Sequence, residues 1–283
     1  MFFAAPARAQ AARDYLNTPV DQLSLTLDLI KTKGESAPAS GLALPNNYTV
    51  SSLVYPFILW SFSQNGKYGG VSFAPSYTSV EVIRANGTVK ASGFTDPGIA
   101  IHANIFGLPA LRREEMATAI PQTFLSVHLT VTPPLGEYDR DAPVNVGANR
   151  WSFTPLVNLN ITPDKGVQWI EVYASTRFFT DNNEYQGSQL LSQDPLVTVS
   201  AHYSHNIGKR SYAAIGASYD YGGETSVDHV AQANRANGWR PTAAISTVIG
   251  FVRVGLRYEN TSTKPTDARR NGLFEVELAM LLF

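Results

Sequence analysis

Apolar and polar residues alternate with a period of two along most of this chain. Leu23, Leu25, Leu27 and Leu29 are separated by Ser24, Thr26 and Asp28. Ile99, Ile101, Ala103 and Ile105 alternate with Ala100, His102 and Asn104, and Leu125, Val127, Leu129 and Val131 with Ser126, His128, Thr130 and Thr132. The same rhythm runs through Trp151 to Ile161, Ile170 to Ser175, Val197 to Ser204 and Val252 to Tyr258. Successive side chains of a strand point to opposite faces, so each segment reads as a strand with one apolar and one polar side. Weaker strands near 48–62, 68–83, 211–222 and 239–248, with a last one over 273–283, bring the expected number to twelve. Helical spacing is confined to one short stretch, Leu108 to Ala119.

The connections differ by parity. Those after odd-numbered strands are long and polar, over 33–47, 84–97, 134–149, 180–194, 222–238 and 260–272. Those after even-numbered strands are mostly tight, such as Gln64-Asn65-Gly66-Lys67, Pro163-Asp164-Lys165-Gly166 and Gly208-Lys209-Arg210. Long loops at one end and short turns at the other are the asymmetry of an outer-membrane barrel. A soluble sandwich has no reason to sort its loops this way. The expected fold class is therefore all-β: a transmembrane antiparallel up-and-down β-barrel of about 12 strands, embedded in the outer-membrane lipid bilayer of a Gram-negative bacterium. The chain also runs to Phe283 without a polar tail, an ending that looks like the signal read by the barrel assembly machinery. Strict alternation puts Phe283 on the side of Glu275 and Glu277, so a bulge near Leu281 is needed to turn it outward.

Composition agrees. Hydrophobic residues are 44% of 283, yet no run approaches the roughly 18 to 20 apolar residues of a spanning helix. The mean hydropathy of -0.10 fits a wall whose two faces cancel in the average. Aromatics stand at 11%, as interfacial girdles require. A net charge of -1 with only 16% charged residues offers nucleic acid no electrostatic footprint, so no nucleic-acid partner is expected. The absence of cysteine excludes disulfide staples and thiolate metal sites. At the start, Ala7-Arg8-Ala9 resembles a signal-peptidase cleavage element behind a very short apolar stretch. The expected organisation is a truncated signal-peptide remnant over 1–10, a periplasmic segment over 11–20 and the barrel over 21–283.

With the apolar faces toward lipid, the polar faces line a lumen. There stand Asp28, Glu171, Arg177, Asp220, Arg253, Arg257, Glu275 and Glu277, and with them His102, His128 and His202. Both signs are present, which favours cross-strand ion pairs. If the last two strands are antiparallel neighbours, Arg257 falls roughly opposite Glu275 and Arg253 near Glu277 or Ala279. A selectivity filter for a charged solute is the functional reading of these charges, and a rigid polar wall the plainer one.

His202-Tyr203-Ser204 resembles the His and Ser of outer-membrane phospholipases. A working site needs a third group to orient the imidazole and donors for an oxyanion, and alternation turns both residues inward. No other cluster of His, carboxylates or phosphate-cradling glycines stands out, so no catalytic residue, cofactor or metal is expected.

Several polar segments are similar to one family, the outer-membrane proteins named for a meta-pathway of phenol degradation. They are Asp96-Pro97-Gly98, Pro134-Leu135-Gly136-Glu137-Tyr138-Asp139, and Asn145 through Pro155 with Asn149-Arg150-Trp151-Ser152-Phe153. Phe178-Phe179-Thr180-Asp181-Asn182, Gln193-Asp194-Pro195-Leu196 and Gly222-Gly223-Glu224-Thr225 follow in the family's order. The Glu-rich final strand departs from the family's usual ending. The resemblance implies a barrel that takes up small hydrophobic or aromatic compounds. Its motifs fall at the loop ends of strands, which makes Asp96, Arg150, Trp151, Phe179, Asp181 and Asp194 candidate mouth residues. Asp-Pro and Gly-Gly also simply form turns. Trp151, Tyr173, Phe179, Tyr185 and Trp239 would offer stacking surfaces near the mouth. The resulting expectation is a passive uptake porin with a polar lumen gated by extracellular loops. The rivals are a structural barrel with a plugged lumen and a lipase or esterase using His202 and Ser204.

Overall fold

Alternation gives every segment two unlike faces, and the computed structural model disposes of the apolar one by closing the sheet on itself. It describes residues 11–34, 48–84, 87–260 and 272–282. Twelve antiparallel strands form the closed wall: β1 (Gln22–Gly34), β2 (Tyr48–Gln64), β3 (Lys67–Ala74), β6 (Gly98–Phe106), β7 (Phe124–Thr132), β8 (Ser152–Ile161), β9 (Gln168–Phe179), β12 (Leu196–Ile207), β13 (Ser211–Gly222), β16 (Ala236–Ile249), β17 (Val252–Glu259) and β18 (Gly272–Leu281). Each pairs with its neighbours in sequence order, and β1 closes the circle by pairing with both β2 and β18. Closure leaves the wall without the unpaired edges that an open sheet exposes. Ile101, Val127, Val157, Val199, Ile215 and Leu256 present their side chains outward, and their immediate neighbours in sequence face the lumen.

The short turns lie at one end, with the six-residue helix α1 (Arg113–Thr118) in the longest of them. The opposite end departs from expectation. Residues 84–97 are not a loop: β4 (Tyr77–Arg84) continues the path of β3 along β2, and β5 (Gly87–Phe94) returns beside it. The result is a long hairpin, kinked at Pro75-Ser76 and Thr95-Asp96-Pro97, whose outer half stays paired with β2 but no longer with β6. Its outward face changes from apolar Tyr77 and Phe94 to Ser79, Ser92 and the Glu81–Lys90 pair at 3.3 Å, marking where lipid gives way to water. The loops 180–194 and 222–238 carry short strands as well: β10 (Asn182–Tyr185), β11 (Gln189–Gln193), β14 (Thr225–Val227) and β15 (Val230–Ala231) form a separate four-stranded sheet. Phe283 and the loops 35–47 and 261–271 lie outside the described residues, as does the stretch read as a signal remnant.

Residues 11–20, expected as a periplasmic segment, run with Asp21 into the lumen at the turn end. Ala11 and Ala12 are buried there, and the segment continues across to β2, where Asp21 N donates to Ser61 O. It forms a strap over the lumen floor.

Candidate functional site

The strap is bound at both sides of the lumen. On the β9–β12–β13 side, Arg13 N donates to both carboxylate oxygens of Glu171 at 2.9 Å, its Nε to Ser204 Oγ at 2.9 Å, and its second guanidinium nitrogen to Asn206 Oδ1 at 2.8 Å. The same guanidinium sits 4.1 Å above the ring of Tyr212. Tyr173 OH donates to Glu171 and to Ala11 O. Ala12 packs with Tyr212 and Ala214. On the β2–β3 side, Thr18 bonds Tyr68 OH at 2.9 Å, Ser61 Oγ donates to Pro19 O at 2.6 Å, and Val20 N donates to Leu111 O below α1.

Between these anchors a belt of rings lines the wall. Tyr68 on β3 stacks on His102 of β6 at 5.5 Å, and His102 on His128 of β7 at 5.0 Å. Tyr15 of the strap meets His128 edge-on at 4.6 Å and Tyr173 of β9 at 5.1 Å, and Tyr173 reaches His202 of β12 at 5.5 Å. Tyr173 was expected near the mouth; it lies instead deep in the lumen, fully buried, because it is only five residues from Gln168, the turn-end start of its strand. His202 also approaches Thr242 Oγ1, and Ser204 accepts from Arg13, so the residues of the lipase reading are engaged with the wall and the strap.

Toward the loop end the lumen is ionic on one side. Arg257 on β17 and Glu275 on β18 are register partners joined by a hydrogen bond, and Arg253 stands opposite Ala279, as the strand order predicts. Glu277 and Asp28 bring carboxylate oxygens within 4.8 Å of Glu275. Arg240 of β16 joins Asp220 at 2.5 Å and Glu259 at 2.5 Å, and Thr198 donates to the same Asp220. Arg240 and Glu259 were not anticipated, although the signal was present: Arg240 alternates with outward Trp239, and Glu259 shares the face of Arg257. Arg177 donates to Thr154 nearby on the wall, and Arg253 lies 5.7 Å from the Tyr212 ring.

At the mouth, segments distant in sequence lock together. Asp96, in the kink between β5 and β6, accepts from Gly136 N and Ala148 N at 2.7 Å each, pinning the 133–149 loop against the hairpin. Gly136 is required here, since a Cβ would fall 2.6 Å from Asp96 N. Burial raises the Asp96 carboxyl above its ordinary range even though two N–H donors oppose the shift. Val144 packs with Val80 and Val82 on the inner face of the hairpin. Arg150 stacks 4.6 Å from Phe179 and bonds Gln193, which in turn donates to Gly223 O at 2.9 Å. Burial, with Arg177 nearby, lowers the Arg150 guanidinium to about 10, so it remains charged at neutral pH. Asn182 donates to Ala148 O, and Asp194 N to Glu224 O. Asp96, Arg150 and Phe179 thus belong to one cap, with exposed Asp181 acting on Arg150 through its charge. Trp151 does not join it; its ring stacks on Phe153 at 6.3 Å on the outer surface. Asp194 is exposed and contributes backbone only.

The family described as "Putative MetA-pathway of phenol degradation" matches the chain over residues 18–271. Among solved structures, an outer membrane channel of the COG4313 group from Pseudomonas putida F1 superposes with a TM-score of 0.81 at 17% identity, covering 97% of this chain and 100% of that one. The transport unit of the autotransporter AIDA-I from Escherichia coli gives 0.54 at 9% identity, covering 98% and 94%. The beta domain of the Bordetella autotransporter Brka gives 0.53 at 11%, covering 93% and 100%. No curated protein matches the chain in sequence.

Proposed function

The chain belongs to the family of the MetA-pathway of phenol degradation, an outer-membrane barrel family, and from that premise we propose that it is a passive channel for small aromatic or hydrophobic compounds. The observation that carries this reading is the character of the obstruction. A barrel of twelve strands leaves little space beyond its own side chains. Here the lumen floor is crossed by a strap held through hydrogen bonds and ring contacts, all of which can open without unfolding the wall. The belt of rings above it suits a flat apolar solute, and offset or edge-on contacts with such a solute contribute about 0.5–1.5 kcal/mol each. The full-length likeness to an outer membrane channel supports the same reading. The mouth cap built from the loops around Asp96 and Arg150 is the outer gate, and the strap the inner one. Insertion through the barrel assembly machinery, by way of β18, completes the picture.

The anchoring at both ends of the strap favours one rival, a sealed barrel with a structural role. Porin-depleted Gram-negative cells expressing the chain separate the two. Faster initial uptake of labelled phenol and toluene, with uptake of a small sugar unchanged, is the expected result. Unchanged uptake of all three would overturn the channel reading.

A further inference from the structure

Tyr15 occupies a particular place in the ring belt. The rings on β3, β6 and β7 form one run and those on β9 and β12 another, and β8 lies between them. At this level β8 supplies no ring. By register with His128 and Tyr173 it offers Leu156 and Asn158, both buried. The phenol group of Tyr15 closes that gap, edge-on to His128 and tilted against Tyr173. It arrives on a strap that is held in the lumen by noncovalent contacts alone, and it is no part of the wall.

A second observation concerns polarity. Asn158 is 0% exposed, its amide donates to Ser126 Oγ, and its Oδ1 has no hydrogen-bond partner among the described residues. Buried polar atoms are nearly always satisfied, and one without a protein partner is open to a water or to a ligand's donor. Ser126 Oγ also meets His128 Nε2 at 2.9 Å, so Asn158 and the imidazole that flanks Tyr15 belong to one polar cluster. An apolar floor, two ring walls and an open acceptor match a benzene ring that bears a hydroxyl.

We propose that the slot between His128 and Tyr173 is a binding site for phenolic solutes, which Tyr15 fills as an internal stand-in. A phenol entering the slot displaces Tyr15, and the strap loses its central contact, so the solute loosens the obstruction to its own passage. Asn158 Oδ1 accepts from the solute hydroxyl and gives phenols preference over toluene-like rings. This rests on the channel reading above.

The test uses the chain in lipid nanodiscs with 4-fluorophenol and 4-fluorotoluene, followed by fluorine NMR against empty nanodiscs. A site held closed by an internal competitor binds more weakly by the fraction of time that it is open, so Tyr15→Ala is expected to bind 4-fluorophenol about tenfold more tightly than the parent. In the Tyr15→Ala background, Asn158→Leu is expected to remove the preference for 4-fluorophenol. Equal saturable affinity in the parent and Tyr15→Ala, or no saturable binding to Tyr15→Ala, would overturn the slot. A preference that survives Asn158→Leu would overturn the role of the amide. Parallel phenol uptake by cells expressing the parent keeps the failures apart: uptake without slot binding leaves the channel standing, whereas neither sinks both.

Discussion

His202 lies over Gly216, its register partner on β13, so closely that a Cβ on the glycine would come within 2.1 Å of Nδ1. His102 and Gly70 repeat the arrangement across β6 and β3, where the same Cβ would stand 2.5 Å from Cε1. A missing side chain on one strand makes room for an imidazole to lie along the wall, and the lumen keeps space for the strap. Gly216→Ala should push His202 off Tyr173 and cost about 1–3 kcal/mol, the usual range for overfilling a packed site. Urea unfolding in micelles would measure it, and adding His202→Ala should recover only part of the loss, because the same Cβ would stand 2.7 Å from Ala201 O.

Arg240 holds two carboxylates, Asp220 and Glu259, in a largely buried setting. Removing the cation leaves both without their charge partner, which for buried pairs costs roughly 3–5 kcal/mol. Arg240→Met should therefore lower the unfolding midpoint sharply. The triple variant Arg240→Met, Asp220→Asn, Glu259→Gln should unfold later than Arg240→Met alone. If the triple variant is the weaker, the ion cluster is not what matters at this position.

Asp96→Ala removes the acceptor for two backbone N–H groups, and each buried donor left unsatisfied costs about 1–3 kcal/mol. The strands do not depend on these bonds, so the effect should be local. Limited trypsin digestion is expected to cut faster at exposed Arg140, while the barrel keeps its heat-modifiable mobility on gels.

Arg13→Ala deletes the hydrogen bonds to Ser204 and Asn206 and the contact with Tyr212, leaving the backbone bond to Glu171. Single-channel recordings in planar bilayers should then show longer or larger openings than the parent. Identical traces would mean that the strap is not the constriction.

The wall was legible in the sequence because a period of two is imposed residue by residue. The same rule located the lumen charges and placed Arg257 opposite Glu275. Features without that rhythm were missed. The β5 segment, Thr88 to Phe94, mixes Lys90, Ser92 and Gly93 with few apolar residues, because its outer side meets water above the membrane, so it read as loop. The strap gave no sign at all: residues 11–21 have neither strand nor helix periodicity, and the hydrogen-bond partners of Arg13 lie 158 to 193 positions away. The family motifs pointed to the loop ends of strands only as a region; the fold is what sets Asp96 and Arg150 inside the cap and Trp151 on the outer surface.

The kinked hairpin has a consequence for what the cell shows to its surroundings. Along β4 the pairing with β2 runs from Tyr77 opposite Val54 to Ile83 opposite Tyr48, and over that length its outward face turns from apolar to polar. A phage fibre or an antibody that binds this hairpin from outside meets Ser79, Ser92 and the exposed Glu81–Lys90 pair. Surface variation can accumulate on its outer face without touching the lumen, because the pairing of β4 with β2 and the packing of inner-face Val80 and Val82 against Val144 hold it in place.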